Sequence, residues 1–178
     1  MSMKSDELTE KIRQIERPGK NEEREIPEES RGAVKKAMNL LTYKDRSEKE
    51  LRDRLAAEGF EEAQIADALN YVGAFGYIND KRYAENYVAS YAGKKSRNAI
   101  RLELRKKGVD ENWIDLALED VPEDETEQMK ELLVRKAGPP HRLEDREKRR
   151  LCAFLGRRGY STGAVWKAIR SYEEEDPD

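Results

Sequence analysis

The chain has 178 residues, 37% hydrophobic and 41% charged, with 35 Lys and Arg against 38 Asp and Glu for a net charge of -3. This balance excludes one thick core and suits a thin helical array whose helices show much of their surface to water. No apolar run reaches the ~18 residues of a membrane span, the N-terminus lacks a secretory core, and a single cysteine, Cys152, excludes an internal disulfide, so a cytoplasmic protein without membrane association is expected.

Residues 1–31 read as an arm. Charged stretches flank Pro18-Gly19, and the composition favours disorder, although Leu8, Ile12 and Ile15 recur at helical spacing and offer a short optional helix over residues 6–16. The first repeat covers residues 32–76. Ala33, Ala37, Leu40 and Leu41 form one apolar stripe, which the polar stretch 43–46 ends. Ser47 with Glu50 three residues later has the capping-box pattern and predicts a second helix from Glu48 that buries Leu51 and Leu55 and stops at Gly59. A third helix from about Glu61 buries Ile65, Ala68, Leu69 and Val72.

The second repeat, residues 77–121, opens with Asn79 or Asp80 as cap and a face of Tyr83, Ala84, Tyr87, Val88 and Tyr91. Ser96 takes the place of Ser47 before Ile100 and Leu104, Gly108 ends that helix, and Trp113, Ile114, Ala117 and Leu118 line the next before Pro122. The third repeat, residues 122–172, begins with Met129, Leu132 and Leu133 and is interrupted by Gly138-Pro139-Pro140. Leu143 stands isolated; Leu151, Phe154 and Leu155 and then Val165, Trp166 and Ile169 follow on either side of Gly159. An acidic tail, residues 173–178, closes the chain.

The three copies keep register. Leu51, Leu55, Gly59, Phe60, Ile65, Ala68 and Leu69 recur as Ile100, Leu104, Gly108, Val109, Ile114, Ala117 and Leu118, then as Leu151, Leu155, Gly159, Tyr160, Val165, Ala168 and Ile169. A repeat of ~50 residues implies stacked supersecondary units, because one small unit cannot bury its apolar face alone. The fold expected is all-α: an elongated, curved array of three tandem three-helix repeats, nine core helices in all, with a flexible or partly helical N-terminal arm.

Catalysis is not expected. His141 is the only histidine and lies in a Pro-Pro loop without a local partner, so it reads as solvent-facing. Cys152 reads as a partly buried structural thiol, although Arg149 and Arg150 would lower its pKa somewhat. One histidine and one cysteine do not make a typical zinc site, no phosphate-loop or dinucleotide fingerprint occurs, and no cofactor is expected. The tyrosines at 83, 87 and 91 have the spacing of a base-stacking platform, but helical register on the inner face favours packing, as it does for Trp113 and Trp166.

Charge is more informative. Residues 94–109 hold seven basic groups and one acid, residues 110–131 hold ten acids and one lysine, and residues 142–170 hold nine basic groups and three acids. Arg97, Arg101 and Arg105 fall on one helix face, Lys106-Lys107 precedes Gly108, and Arg157-Arg158 precedes Gly159, with Arg149-Arg150 one helix face earlier. These nine residues are candidates for contact with phosphates or an acidic protein surface. The alternative is a solvated helix face with cations placed to suit the helix dipole.

Arg46-Ser47 at the head of the first repeat's middle helix, the segment FGYINDKRYAENY at 75–87 and KKGVDENWIDLAL at 106–118 resemble the RecX regulators of bacterial RecA recombinase over residues 33–171. The resemblance implies a monomeric, non-catalytic cytoplasmic protein that binds the RecA nucleoprotein filament in its helical groove. It would suppress ATP hydrolysis, strand exchange and coprotease function, with single- or double-stranded DNA as a further ligand of some members. The alternative is a DNA-binding helical-repeat module, or a protein scaffold, acting independently of RecA. The acidic block and tail would repel phosphates and confine any DNA contact to the basic faces, which ranks protein contact above DNA contact.

Overall fold

The computed structural model describes residues 26–176, and the possible helix at 6–16 lies outside them. Among the described residues the chain forms nine α-helices, preceded by a 3-10 turn at Glu28–Ser30, and no strand. They fall into two compact units that divide after Asn79.

The first unit holds repeat 1: α1 (Arg31–Tyr43), α2 (Glu48–Ala57) and α3 (Glu62–Ala74). Its capping box is present as read, with Glu50 N–H donating to Ser47 Oγ at 3.2 Å and Ser47 N–H to Glu50 Oε2 at 3.3 Å. The core is Ala33, Val34, Ala37, Leu51, Leu55, Ile65, Ala68, Leu69 and Val72, with Ile26, Leu40, Leu41 and Phe60 packed against it. Ser30 leads into α1 and donates to Asp67 of α3 at 2.6 Å, which fastens the entry of the repeat to its third helix.

The second unit holds repeats 2 and 3. Repeat 2 comprises α4 (Asp80–Tyr91), α5 (Arg97–Lys106) and α6 (Glu111–Ala117); repeat 3 comprises α7 (Thr126–Ala137), α8 (Asp145–Gly156) and α9 (Thr162–Glu174). Ile100, Leu104, Trp113, Ile114 and Leu118 are buried in repeat 2, and Met129, Leu133, Leu151, Leu155, Val165, Ile169 and Tyr172 in repeat 3. Gly59, Gly108 and Gly159 end the middle helices at φ +89°, +79° and +87°, a region an L side chain enters only at a cost.

Four readings change in the folded chain. Leu143 is not isolated: the α7–α8 connection folds it into the repeat 3 core, and its N–H donates to Glu173 Oε1 at 2.9 Å. Trp113 is buried, but Trp166 is 45% exposed, because one step along α9 from Val165 turns it out to water. His141 is not partnerless. Its Nδ1 lies 2.8 Å from the Pro139 carbonyl and 3.1 Å from the hydroxyl of fully buried Tyr172, which itself donates to the Pro139 and Gly138 carbonyls at 2.7 and 3.0 Å. Burial raises the Cys152 pKa, and the neighbouring arginines do not offset it.

Candidate functional surface

A structural device recurs between the second and third helices. Arg52 of α2 pairs with Glu62 of α3, and forty-nine residues on, Arg101 of α5 pairs with Glu111 of α6. In repeat 3 the corresponding residues are Cys152 and Thr162, so the pair is absent there. Arg101 therefore belongs to a repeated brace that holds the two helices across their turn.

The rest of the arginine row on α5 is also engaged within its own unit. The Arg97 guanidinium donates to the Leu118 and Val121 carbonyls, filling acceptors left open where α6 ends. Arg101 reaches Asp115 at 2.6 Å besides Glu111, and its side chain is only 22% exposed. Arg105 clasps the same Glu111 carboxylate with two donors, at 2.6 and 2.9 Å. Burial works to lower the Arg101 pKa, but hydrogen bonds to Asp115 and Glu111 outweigh it and raise it. Those from Arg105 and then Arg101 hold Glu111 below its ordinary range.

Lys107 lies over the Tyr83 and Tyr87 rings, and Lys95 lies over Tyr91 at 4.4 Å while pairing with Glu103 at 2.7 Å. Tyr87 hydrogen-bonds the same Glu103 carboxylate. The tyrosine row thus packs along the α4–α5 seam under a cover of lysines and one glutamate, with Tyr83 buried and Tyr87 and Tyr91 half-buried. Lys106 projects to solvent within the field of Glu103.

Repeat 3 arranges its charge differently. On α8, Lys148 is tied to Glu173 of α9 at 2.9 Å, and just past its end the Arg158 guanidinium lies over the Phe154 ring, 3.7 Å from the centroid. Arg146, Arg149, Arg150 and Arg157 are exposed and share one face with exposed Ala153 and Gly156. Arg150 approaches Glu147 at 3.8 Å while staying 62% exposed, whereas Arg146, Arg149 and Arg157 make no ion pair among the described residues. Arg149, Arg150 and Arg157 are among the candidates the sequence offers; Arg146 joins them because it stands four residues before Arg150 and eleven before Arg157, on the same helix face.

The acidic stretches serve mainly as internal partners. Asp124 accepts from the Thr126 hydroxyl and amide and from Lys167, which brings its pKa down to about 2. Glu127 and Glu175 both pair with Lys130, at 2.8 and 2.5 Å. Glu173 and Asp176 accept the Leu143 and Arg142 amides, so the acidic end of α9 pins the α7–α8 connection. Glu125 receives the Arg97 N–H at 2.6 Å, placing a carboxylate at the start of α5, and burial raises its pKa.

Repeats 2 and 3 meet through Ser96. Its Oγ caps the Ala99 N–H at 3.1 Å and donates to the Gly159 carbonyl at 2.8 Å, while its own N–H donates to the Arg158 carbonyl at 2.9 Å. Sequence suggested only the cap. The second bond needs knowledge of which turn sits opposite, and no local pattern supplies that.

Family models describe three segments as the first, second and third three-helix domains of RecX, at residues 33–71, 79–118 and 123–169. The chain is 34% identical over 141 residues to the regulatory protein RecX of Vibrio campbellii, covering 79% of this chain and 90% of that one. It is 35% identical over 152 residues to the regulatory protein RecX of Amycolatopsis mediterranei, covering 82% and 87%. Among solved structures, RecX from Lactobacillus salivarius superimposes with a TM-score of 0.63 at 27% identity over 82% of this chain and 97% of that one.

Proposed function

Because the chain belongs to the RecX family of regulatory proteins, we propose that it is a non-enzymatic, monomeric, cytoplasmic modulator of the RecA nucleoprotein filament. It binds the filament and restrains its ATP hydrolysis, strand exchange and coprotease activity. The observation that carries this reading is the match of all three RecX domains, in order, onto three three-helix repeats. Regulation by binding also agrees with the chemistry of the side chains: the single histidine and single cysteine sit 11 positions apart in repeat 3, and each is engaged in packing.

The candidate contacts are Arg97, Arg101, Arg105, Lys106, Lys107, Arg149, Arg150, Arg157 and Arg158. The intramolecular partners of Arg97, Arg101, Arg105, Lys107 and Arg158 favour a bracing role for these five. Lys106, Arg149, Arg150 and Arg157 have the exposure that contact needs. Co-sedimentation with RecA filaments formed on single-stranded DNA tests the proposal. The protein should pellet with filaments and stay in solution without RecA at 150–200 mM salt, roughly the range where nonspecific phosphate binding has weakened sharply. Recovery in the supernatant at every RecA concentration would refute it.

A further inference from the structure

We propose that Glu111 and Asp115 act as an electrostatic mask over Arg101 and Arg105 of α5, so that, of these two arginine-rich helices, a nucleic-acid strand meets α8, on its arginine face. The proposal deepens the reading of this chain as a filament modulator: it assigns a phosphate-contacting surface and identifies residues that close a second one.

Two equivalent helices treat their arginines differently. Both α5 and α8 are rich in arginine. On α5, Arg101 and Arg105 share one Glu111 carboxylate, and Arg101 takes Asp115 as well. A phosphate approaching them competes with carboxylates already seated on the guanidinium forks, so neutralisation yields little counterion release. On α8 the position matching Arg101 is Cys152 and the position matching Glu111 is Thr162. The arginines of repeat 3 stand instead at positions matching Lys95, Asn98, Ala99 and Lys106, a solvent face opposite buried Leu151 and Leu155 that the brace does not reach.

The face fits a phosphate backbone better than a protein surface. Arg146 to Arg157 spans about 16 Å at the helical rise, the length of about five phosphates of one strand at their ~3.4 Å spacing. The residues between them, Ala153 and Gly156, are exposed and small, so a backbone can come close to the helix. No Trp, Tyr, Phe or Met lies among the six residues of this face, whereas the core of a protein interface sets such anchors beside its arginines. Among the described residues, Glu147, 3.8 Å from Arg150, is the one carboxylate paired with the face.

Fluorescence anisotropy with a labelled oligothymidine, without RecA, tests this on the full chain. Four phosphate contacts on a single strand predict a salt slope near -3 and a loss of affinity of roughly 50-fold between 50 and 200 mM salt. Replacing the face with R146Q/R149Q/R150Q/R157Q should abolish that slope. Unmasking with E111Q/D115N should tighten binding at 50 mM salt and steepen the slope to about -4, as Arg101 and Arg105 join. E119Q/D120N, which removes the same charge from two exposed carboxylates that pair with no arginine among the described residues, should leave the slope unchanged. Circular dichroism melts check that each variant folds.

Equal gains from E111Q/D115N and E119Q/D120N would reduce the effect to net charge and overturn the mask. Unchanged oligonucleotide binding in the four-arginine variant, with lost co-sedimentation on RecA filaments, would make α8 a protein contact and overturn the assignment. Failure of the filament proposal would show separately, as wild-type protein that binds the oligonucleotide but never pellets with RecA.

Discussion

Replacing Gly159 with alanine should unlock repeat 2 from repeat 3, while the equivalent change at Gly59 should cost only backbone strain. Both glycines lie near φ +88°: Gly59 at +89° and Gly159 at +87°. An alanine at either site bears the left-handed penalty of about 1–2 kcal/mol. The surroundings differ sharply. A Cβ at Gly59 meets nothing within 4 Å, whereas one at Gly159 falls 2.5 Å from the Ala99 Cβ and 2.8 Å from the Ser96 Oγ. Relieving that overlap must move the turn away from α5. Such overpacking costs about 1–3 kcal/mol, and it strains the Ser96 bonds to the Arg158 and Gly159 carbonyls. The totals are about 1–2 kcal/mol for G59A and about 2–5 kcal/mol for G159A. Hydrogen exchange at the Ser96 amide reads the junction directly, since that N–H is donated to Arg158. G159A should accelerate it by tens-fold or more, G59A should leave it unchanged, and A99G should partly rescue G159A through a coupling of about 1 kcal/mol or more. Equal destabilisation by the two alanines, or unaltered Ser96 protection in G159A, would refute this account of the junction.

Gly108→Val should destabilise repeat 2 by about 2 kcal/mol or more, because a β-branched residue is forced to φ +79°; urea denaturation checks it, and an unchanged midpoint contradicts it. Tyr172→Phe removes the donor to the Gly138 and Pro139 carbonyls and should cost about 1–2 kcal/mol, with faster exchange at the Leu143 amide as the local readout. Stability should decline as pH falls below the ordinary glutamate value of 4.5. Glu103, Glu111 and Glu173 are held lower than this in the fold by hydrogen bonds that outweigh any burial, so their contribution is complete above it and is lost through their folded values. Glu125 runs the other way. Burial raises its pKa, so it opposes folding increasingly as pH rises past 4.5; E125Q should therefore gain relative stability at pH 7 over pH 4, less whatever the Arg97 amide loses as its partner weakens. Urea midpoints across pH 3–8 measure both limbs.

The helices were legible because their signals are local. Ser47, Ser96 and the three glycines mark starts and stops within a few residues, and apolar spacing names the buried faces. Charge was not legible in the same way. Read along the chain, residues 94–109 look basic and residues 110–131 acidic, yet the turn at Gly108 folds one block onto the other, so Glu111 and Asp115 land on Arg101 and Arg105. A signal existed: Arg and Glu ten residues apart in repeats 1 and 2, replaced by Cys152 and Thr162 in repeat 3. Leu143 and the acidic end of α9 escaped for another reason. Their contacts join segments about thirty residues apart through a proline-containing connection with no periodicity.

Action on the RecA filament shows first in DNA-dependent ATP hydrolysis by the cognate RecA. With folded wild-type protein added at substoichiometric to equimolar ratios, hydrolysis should fall in a dose-dependent manner. An unchanged rate across that range, with filament length also unaltered, would mean that the protein does not act on the filament.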